Sequence, residues 1–357
     1  MNRTIRVGTG DFTYRLVPDW PRIPDGLDLG DVADVQVDGR GDVHLLSRAA
    51  NAIVVLDAGG DLVRLISYPH EGTLHGITLG SDRSLWCTDS ELHVVVHLDQ
   101  EGGVLGGLGV LGVPSDTGAV LGKHMSVKRG AGPFNRPTAT ALDSSGDIFV
   151  SDGYGNARIH RFTRDGRLVD SWGSPGQAPG QFRLPHSIAL ARDEEEMVVA
   201  DRENSRLQFL GRDGSVRAEW TDVCRPNRVA LDAFGNVFVA ELGLRVARAE
   251  CCDGIQFPPV GPGTPGSRVS VFSPEGALLA RWGGSGEVCG PGEFYSAHGL
   301  AVDDLGSVYV AQVSRRASLS SGRSEPVTCH TVQKFEPVTA PHRRRRPAGA
   351  GCPPAAG

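Results

Sequence analysis

A short pattern of strand residues recurs six times along the chain and constrains the fold more than any other feature. Each copy has a polar turn, usually with Gly or Asp, followed by alternating apolar residues that end at a polar side chain. The copies begin at Gly41, Arg83, Gly146, Glu196, Gly235 and Gly306. Apolar residues that alternate with a period of two are typical of a half-buried strand, whereas those of an amphipathic helix recur about every 3.6 residues.

Further strands accompany each copy. An outer strand such as Arg158–Phe162 or Arg206–Leu210 follows, and a polar turn such as Arg164–Gly166 leads into another strand. Each unit is therefore predicted to be an antiparallel meander of about four strands. Six such units predict an all-β protein, a six-bladed β-propeller whose blades surround a central channel.

The extent of the strand pattern sets the predicted domain boundaries. We expect the propeller to cover residues 15–337, with residues 1–14 as an N-terminal arm. Residues 338–357, rich in Pro, Arg, Ala and Gly, are predicted to be a disordered tail. Two Gly- and Pro-rich insertions, 103–133 and 245–267, are expected to form loops over one mouth of the channel.

Charge and composition exclude several classes of function. The net charge of −6 argues against non-specific binding of nucleic acid, which depends on Lys and Arg contacts to phosphates. No apolar run approaches membrane-spanning length, and the N-terminus lacks the apolar core of a signal peptide. The seven cysteines form no CxxC pair and resemble no disulfide framework. We therefore expect a soluble, cytoplasmic monomer with reduced thiols and no membrane partner.

Three histidines occupy one register position in alternate units. His75, His186 and His298 each lie 14 or 15 residues before the end of a repeated copy, in the strand predicted to line the channel. In the units between them this position is assigned to other residue types, namely Val35, Thr138 and Arg228. Alternate blades of a six-bladed ring are related by a rotation of about 120°, so the three imidazoles are expected to converge on the axis. The other eight of the eleven histidines are interpreted as surface or turn residues.

Three imidazoles with open outer positions are the ligand set of a catalytic zinc site rather than of a closed structural one. The same ligands also suit Fe, Co or Cu, so the sequence does not identify the metal. We therefore predict a site for zinc or another divalent transition metal on the channel axis.

Four segments together resemble the peptidyl-α-hydroxyglycine α-amidating lyases, a family of NHL-repeat β-propellers. The segments are Phe134–Pro137, Ser151–Asn156, Pro185–Leu190 and Ala200–Arg206. The resemblance implies that the three histidines bind zinc. It also implies a catalytic Tyr154, with Arg48 and Arg202 as catalytic residues that bind the substrate.

The reaction implied by this resemblance suits these residue types. A metal-dependent carbon–nitrogen lyase of this kind cleaves an α-hydroxyglycine-type hemiaminal into an amide and glyoxylate. A tyrosinate can accept the proton of a hydroxyl group that a metal has acidified, and arginine can hold the carboxylate by a bidentate pair. The expected partner is a small metabolite or a peptide that carries an α-hydroxyglycine-like group.

The chain departs from the family at several positions. The family's structural calcium is held by two backbone carbonyls, here at Val35 and Ile77, and by an Asp directly after the third histidine. This chain has Gly299 at that last position and therefore lacks the carboxylate. A methionine of the family corresponds to Ser296, and a cysteine after the catalytic tyrosine corresponds to Gly155. The chain therefore lacks one of the calcium ligands that the resemblance implies, and these departures bear on the peptide substrate rather than on the three-histidine site.

Two other functions fit the same scaffold, because function depends on the site rather than on the fold. One is a different metal-dependent hydrolase or lyase, such as a lactonase-like enzyme, whose calcium channel would be lined by Glu, Asp and Asn. The other is a non-catalytic NHL-propeller interaction module that binds protein or RNA on one face. That module predicts a basic or aromatic face, whereas the aromatic content is 6% and the net charge is negative.

Overall fold

The computed structural model describes residues 4–245, 261–284 and 289–339. The tail predicted from residue 338 therefore lies almost entirely outside the described residues. The first strands are, in chain order, β1 (Arg6–Thr9), β2 (Phe12–Leu16), β3 (Val32–Val37), β4 (Val43–Ser47), β5 (Ala52–Leu56), β6 (Leu62–Ser67), β7 (Leu74–Leu79), β8 (Leu85–Asp89), β9 (Val94–Leu98), β10 (Val104–Leu108), β11 (Pro137–Leu142) and β12 (Ile148–Asp152). The remaining strands are β13 (Arg158–Phe162), β14 (Leu168–Trp172), β15 (Pro185–Leu190), β16 (Glu196–Asp201), β17 (Arg206–Gly211), β18 (Val216–Trp220), β19 (Pro226–Leu231), β20 (Val237–Glu241), β21 (Arg268–Phe272), β22 (Leu278–Gly283), β23 (Ala297–Val302), β24 (Val308–Gln312) and β25 (Val332–Pro337). The α-helix α1 is Ser314–Ser320, and short 3-10 helices lie at His124–Ser126 and Arg202–Asn204.

The strands form six antiparallel sheets, and these are the six predicted blades. Five blades take four consecutive strands each, namely β3–β6, β7–β10, β11–β14, β15–β18 and β19–β22. The innermost strands β3, β7, β11, β15, β19 and β23 contact one another in a closed circuit. The predicted fold, an all-β six-bladed propeller, is confirmed.

The sixth blade joins the two ends of the chain. Its strand order is β1-β2-β25-β24-β23, and Leu16 of β2 lies opposite Phe335 of β25. The buried ring of Tyr14 packs against Trp282 with ring centroids 5.3 Å apart. Residues 6–14, expected to be an arm, thus belong to the propeller, where they cover an edge of β25 that would otherwise be unpaired.

The apolar core lies between neighbouring blades. Ile53 of the first blade packs with Leu74 and Ile77 of the second, and Val271 of the fifth packs with Leu300 of the sixth. Middle strands such as β12 and β20 have apolar residues at consecutive positions and are buried throughout, and since successive side chains point to opposite faces, both faces of a blade are apolar. It holds the inner strands, and hence the residues that face the channel, at fixed positions.

The expectation of reduced thiols is wrong for one pair. Cys289 and Cys329 form a disulfide, whereas Cys87 and Cys224 are buried free thiols. The two bonded cysteines are 40 residues apart and meet because their segments precede β23 and β25, which belong to the same blade. No spacing pattern in the sequence indicates this pairing.

The structure describes the whole of the first predicted loop insertion but only part of the second. The segment 103–133 contributes β10 and then a loop whose Gly122 and His124 reach the channel mouth. Most of the segment 245–267 lies outside the described residues, because 246–260 are not described. Within the part of the chain that the structure describes, no helix has the length and apolar character to cross a bilayer.

Candidate metal centre

The three predicted histidines meet on the channel axis. His75, His186 and His298 are the second residues of β7, β15 and β23, and all three are buried. Their ring centroids are 4.7–4.8 Å apart, and one ligand nitrogen of each lies within 4.8 Å of the others. The predicted convergence of these residues is therefore observed.

A β-bulge brings each histidine into the channel. The pairing register shifts between Leu74 and Gly76, and the same shift occurs around His186 and His298. A bulge inserts an extra residue that has no partner on the neighbouring strand and redirects its side chain. The histidine is that extra residue in each of the three blades.

The intervening blades have bulges at the same level, but two of the residues assigned to them were misaligned. The third blade has Thr138 there, as predicted, whereas the fifth has Asn227 instead of Arg228. The first blade has a longer shift, between Val32 and Val35, so Val35 itself is paired normally. Asn227 lies 14 residues before Glu241, the same distance that separates His75 from Asp89, so the sequence spacing itself indicated Asn227.

Backbone carbonyls of these intervening bulges orient the histidines. The Nδ1 atoms of His75, His186 and His298 lie 2.6, 2.8 and 2.6 Å from the carbonyl oxygens of Thr138, Asn227 and Ala33. A carbonyl can only accept, so each Nδ1 carries the hydrogen and each Nε2 presents a lone pair. Such an outer hydrogen bond fixes the tautomer and the ring orientation of a metal-binding histidine.

The electrostatics keep these imidazoles neutral. Burial is the main reason why the pKa values of His75, His186 and His298 lie well below the ordinary value. Nearby positive charge lowers them further, from Arg48 beside His298 and from Arg202 beside His186. Neutral imidazole is the form that binds a metal.

The unsatisfied lone pairs fit a cation. The Tyr154 hydroxyl lies 3.0 Å from Nε2 of His75 and 3.0 Å from Nε2 of His186. Its single hydrogen cannot serve both acceptors at once, and buried acceptors without a partner are costly. A divalent transition metal would satisfy all three Nε2 atoms, so the donor set fits the predicted metal.

Tyr154 and Arg202 stand together beside the histidines. Tyr154 follows β12, and Arg202 begins the short 3-10 helix after β16. A guanidinium nitrogen of Arg202 lies 3.5 Å from the Tyr154 hydroxyl, and the Arg202 guanidinium carbon is 5.5 Å from the centre of the Tyr154 ring. Arg202 also donates to Glu203 at 2.7 Å. The positive charge is therefore held next to the phenol oxygen.

Arg48 lies on the opposite side of the same cavity. Its Nε donates to the carbonyl oxygen of Leu74 at 3.1 Å, and burial lowers the pKa of its guanidinium. A cavity of about 210 Å³ is lined by Arg48, His75, Tyr154, Arg202 and His298. His186 adjoins it through the Tyr154 hydroxyl. The structure therefore brings together all six residues singled out in the sequence for metal binding or catalysis.

Sequence reasoning missed four further residues that line this cavity, namely His124, Arg136, Arg225 and Arg316. Arg136 lies inside a motif that carries the family resemblance, so its position offered a signal. The other three lie in irregular segments or a loop helix, where no strand register points to the channel.

The interpretation of the remaining histidines as surface or turn residues is wrong for several of them. The ring of His124 lies 4.7 Å from that of Tyr154, and burial lowers the pKa of His124 to about 4. His44 and His160 are buried within blades, since they belong to strands whose two faces are both covered.

The residues at the expected calcium position do not fit calcium. The carboxylate of Asp34 accepts the backbone N–H groups of Val35 and Ile77, each at 3.0 Å, and lies 3.1 Å from the guanidinium of Arg228. A Cβ at Gly299 would lie 2.6 Å from the Cα of Asp34, so an Asp would not fit there. The single carboxylate is already paired with a cation.

Two opposing effects act on the pKa of the Asp34 carboxyl. Burial raises the pKa of the Asp34 carboxyl to about 6, and the charge of Arg228 works in the opposite direction. Removal of Arg228 would leave this carboxylate buried without a countercharge.

Known proteins resemble the chain in both sequence and fold. The NHL repeat family model matches residues 134–162. The chain is 39% identical to the peptidylglycine alpha-amidating monooxygenase of Rattus norvegicus over 147 residues, which are 39% of this chain and 14% of the rat protein. It is 35% identical to peptidyl-alpha-hydroxyglycine alpha-amidating lyase 1 of Drosophila melanogaster over 155 residues, 41% of this chain and 27% of the fly protein. The matches therefore span less than a third of either relative.

Among solved structures, a gluconolactonase from Xanthomonas campestris has a TM-score of 0.59, with 12% identity and coverage of 94% of this chain and 95% of that one. At this identity the likeness concerns the propeller fold alone. The repeat match and these relatives support the resemblance seen in the sequence: the chain contains an NHL repeat and is similar over part of its length to the peptidyl-α-hydroxyglycine α-amidating lyases.

Proposed function

We propose that this protein is a metal-dependent carbon–nitrogen lyase that cleaves an α-hydroxyglycine-type hemiaminal into an amide and glyoxylate. The observation that carries the proposal is the position of the Tyr154 hydroxyl, 3.0 Å from the metal-facing nitrogens of His75 and His186. This arrangement joins a base to a metal site in one small cavity. The names of the fly and rat relatives support the same class of reaction.

His75, His186 and His298 would hold the metal, zinc or another divalent transition metal. When bound, such an ion supplies Lewis acidity that makes the substrate hydroxyl easier to deprotonate.

The protein side chains would carry the proton and hold the substrate. Tyr154, as the phenolate, accepts the hydroxyl proton, and the carbon–oxygen bond becomes the carbonyl of glyoxylate. The carbon–nitrogen bond breaks with its electron pair on nitrogen, and the Tyr154 hydroxyl returns the proton to that nitrogen. Arg202 stabilises the negative charge on the phenol oxygen, since its guanidinium lies 3.5 Å away.

Arg48 would bind the carboxylate of the α-hydroxyglycine unit, because arginine pairs with a carboxylate through two parallel hydrogen bonds. We further propose that the protein acts as a monomer on a small molecule or a peptide, without nucleic acid or membrane partners. The Cys289–Cys329 disulfide favours an oxidising compartment over the cytoplasmic location expected from the sequence.

Glyoxylate release tests the proposal. Protein loaded with zinc would be incubated with N-benzoyl-α-hydroxyglycine, and glyoxylate and benzamide would be quantified. We expect equal amounts of the two products from the wild type and from His97→Ala, a control in an outer strand. Full metal occupancy without release of glyoxylate from this compound or from an N-acetylpeptidyl-α-hydroxyglycine would overturn the proposal.

A further inference from the structure

We propose that the substrate carries a second carboxylate, on the acyl side of the α-hydroxyglycine unit, and that Arg136 and Arg316 bind it. This inference rests on the proposed function and specifies the class of substrate: a short dicarboxylate instead of a neutral acyl group.

The cavity beside the histidines is strongly cationic. Its described lining includes five arginines and no carboxylate; the arginines are Arg48, Arg136, Arg202, Arg225 and Arg316. A concave site lined by charges of one sign concentrates ligands of the opposite sign.

One buried carboxylate serves two of these arginines. Glu203 accepts Nε of Arg202 at 2.7 Å, and it accepts two nitrogens of Arg225 at 2.9 and 3.0 Å. The Glu203 carboxylate thus contacts both guanidinium groups.

The other three arginines form no ion pair with a carboxylate of the described residues. Arg48 donates to the carbonyl oxygen of Leu74, and Arg136 donates to that of Ser90 at 3.3 Å. Burial is the main cause that lowers the pKa values of the Arg48 and Arg136 guanidinium groups. The charge of nearby Arg316 lowers both values further, whereas Tyr154 raises them. Three cations therefore share the mouth of the cavity.

The carboxylates nearest to these arginines have other partners. Asp31 accepts the backbone N–H groups of Arg315 and Arg316, each at 2.9 Å. Glu91 accepts the hydroxyl of Thr73 at 2.6 Å at the rim. Neither carboxylate lies among the cavity-lining residues, so neither occupies the space where a ligand would bind.

Helix α1 holds Arg316 at the mouth. Arg315 pairs with Asp28 at 2.7 and 2.8 Å, and Asp31 binds the first turn. Ala317 packs in the small cluster that contains the disulfide cysteines. The exposed guanidinium of Arg316 is therefore presented at the cationic mouth, where a bound anion would offset the like charges.

One carboxylate does not require all of these groups. The carboxylate of an α-hydroxyglycine unit is fully engaged by one or two guanidinium groups, which Arg48 and Arg202 provide. Arg136 and Arg316 therefore remain for a second anion. The cavity volume of about 210 Å³ is below the range of about 300–1,000 Å³ typical of ligand pockets, so the acyl part is short.

Matched substrates test the inference. N-succinyl-α-hydroxyglycine has a terminal carboxylate, and N-succinamoyl-α-hydroxyglycine has a neutral amide of the same shape. We expect kcat/KM of the wild type to be about 10- to 100-fold higher for the succinyl compound, the range of a hydrogen bond to a charged group. In Arg136→Ala and Arg316→Gln the ratio should fall towards one. Arg40→Ala, an exposed arginine at the opposite mouth, should keep the wild-type ratio.

A binding measurement separates failure of this inference from failure of the lyase proposal. Succinate and acetate would be titrated into wild-type and Arg316→Gln protein by calorimetry. Tighter binding of succinate that Arg316→Gln abolishes would support the dicarboxylate site even if no glyoxylate forms. Equal kcat/KM for the two substrates, with succinate binding no tighter than acetate, would overturn the inference while the lyase proposal stands.

Discussion

The guanidinium of Arg228 lies 3.1 Å from the carboxylate of Asp34, at the position where the family resemblance implied a calcium ion. The same carboxylate accepts the backbone N–H of Ile77, whose carbonyl was an expected calcium ligand. A covalently attached cation therefore neutralises this part of the channel. Arginine cannot be removed by a chelator, so stability here should not depend on calcium.

We expect calcium to be absent from the purified protein and calcium chloride to leave its melting temperature unchanged. Arg228→Met should lower the free energy of unfolding by about 3–5 kcal/mol, because one partner of a buried ion pair is left alone. Asp34→Asn combined with Arg228→Met should recover part of this loss in chemical denaturation. One equivalent of tightly bound calcium, measured by elemental mass spectrometry, would contradict the expectation.

His186→Ala should reduce the bound transition metal from about one equivalent to a small fraction, because three protein ligands define such a site. Elemental mass spectrometry on tag-free protein measures this directly. His97→Ala provides the control, since His97 stacks on Trp86 in the second blade and should leave the metal content unchanged. Normal metal content in His186→Ala would refute the three-histidine assignment.

Tyr154→Phe should keep the metal and lower kcat by about 10²- to 10⁴-fold, the range for loss of a positioned acid–base group. The phenyl ring keeps the ring contacts of Tyr154 with His75 and with the Arg202 guanidinium and removes the hydroxyl contacts. Steady-state release of glyoxylate gives the rate, and metal analysis of the same sample gives the control. A variant with wild-type kcat would exclude Tyr154 as the base.

Glu203 should make the fold sensitive to acid. Burial alone would raise the pKa of Glu203, but Arg225 and Arg202 outweigh it and lower the pKa to about 2. Because the folded-state pKa lies below the unfolded value, this stabilisation is complete above about pH 4.5 and is lost as the pH falls towards 2. It should amount to about 3 kcal/mol of unfolding free energy.

Urea unfolding at pH 6 and at pH 3 measures the effect in wild type and in Glu203→Gln. We expect Glu203→Gln to be clearly less stable at pH 6, because two buried guanidinium groups lose their shared carboxylate. The difference between the two proteins should shrink at pH 3. A difference that is independent of pH would show that the carboxylate charge is not the source of the stability.

Cys289→Ser should lower the free energy of unfolding by about 2–4 kcal/mol, since the disulfide restricts a long loop of the unfolded chain. Denaturant titration of the variant beside wild type under non-reducing conditions measures the loss. Peptide mapping before and after reduction should show the fragments that contain Cys289 and Cys329 linked to each other. Equal stability with and without reductant would contradict this prediction.

The sequence alone predicted the blades and the convergence of the three histidines, because both depend on local periodicity. Strand alternation is set by neighbouring residues, and the six copies, such as those at Gly41 and Gly146, repeat that signal. His75, His186 and His298 recur at a nearly constant distance within their copies, so their register could be read directly. Tyr154 and Arg202 lie in turns that directly follow such strands.

Contacts between segments distant in the chain were decided only by the tertiary structure. The pairing of β2 with β25, the Cys289–Cys329 disulfide and the Asp34–Arg228 pair each join residues separated by uneven loops. Likewise Arg316 reaches the cavity because Asp31 and Asp28 hold α1 over the mouth. Local periodicity carries no information about how such loops return to the ring. The sequence thus determined the repeating strands and the channel histidines, while the closed ring determined which charges surround them, because only ring closure brings distant loops to one mouth.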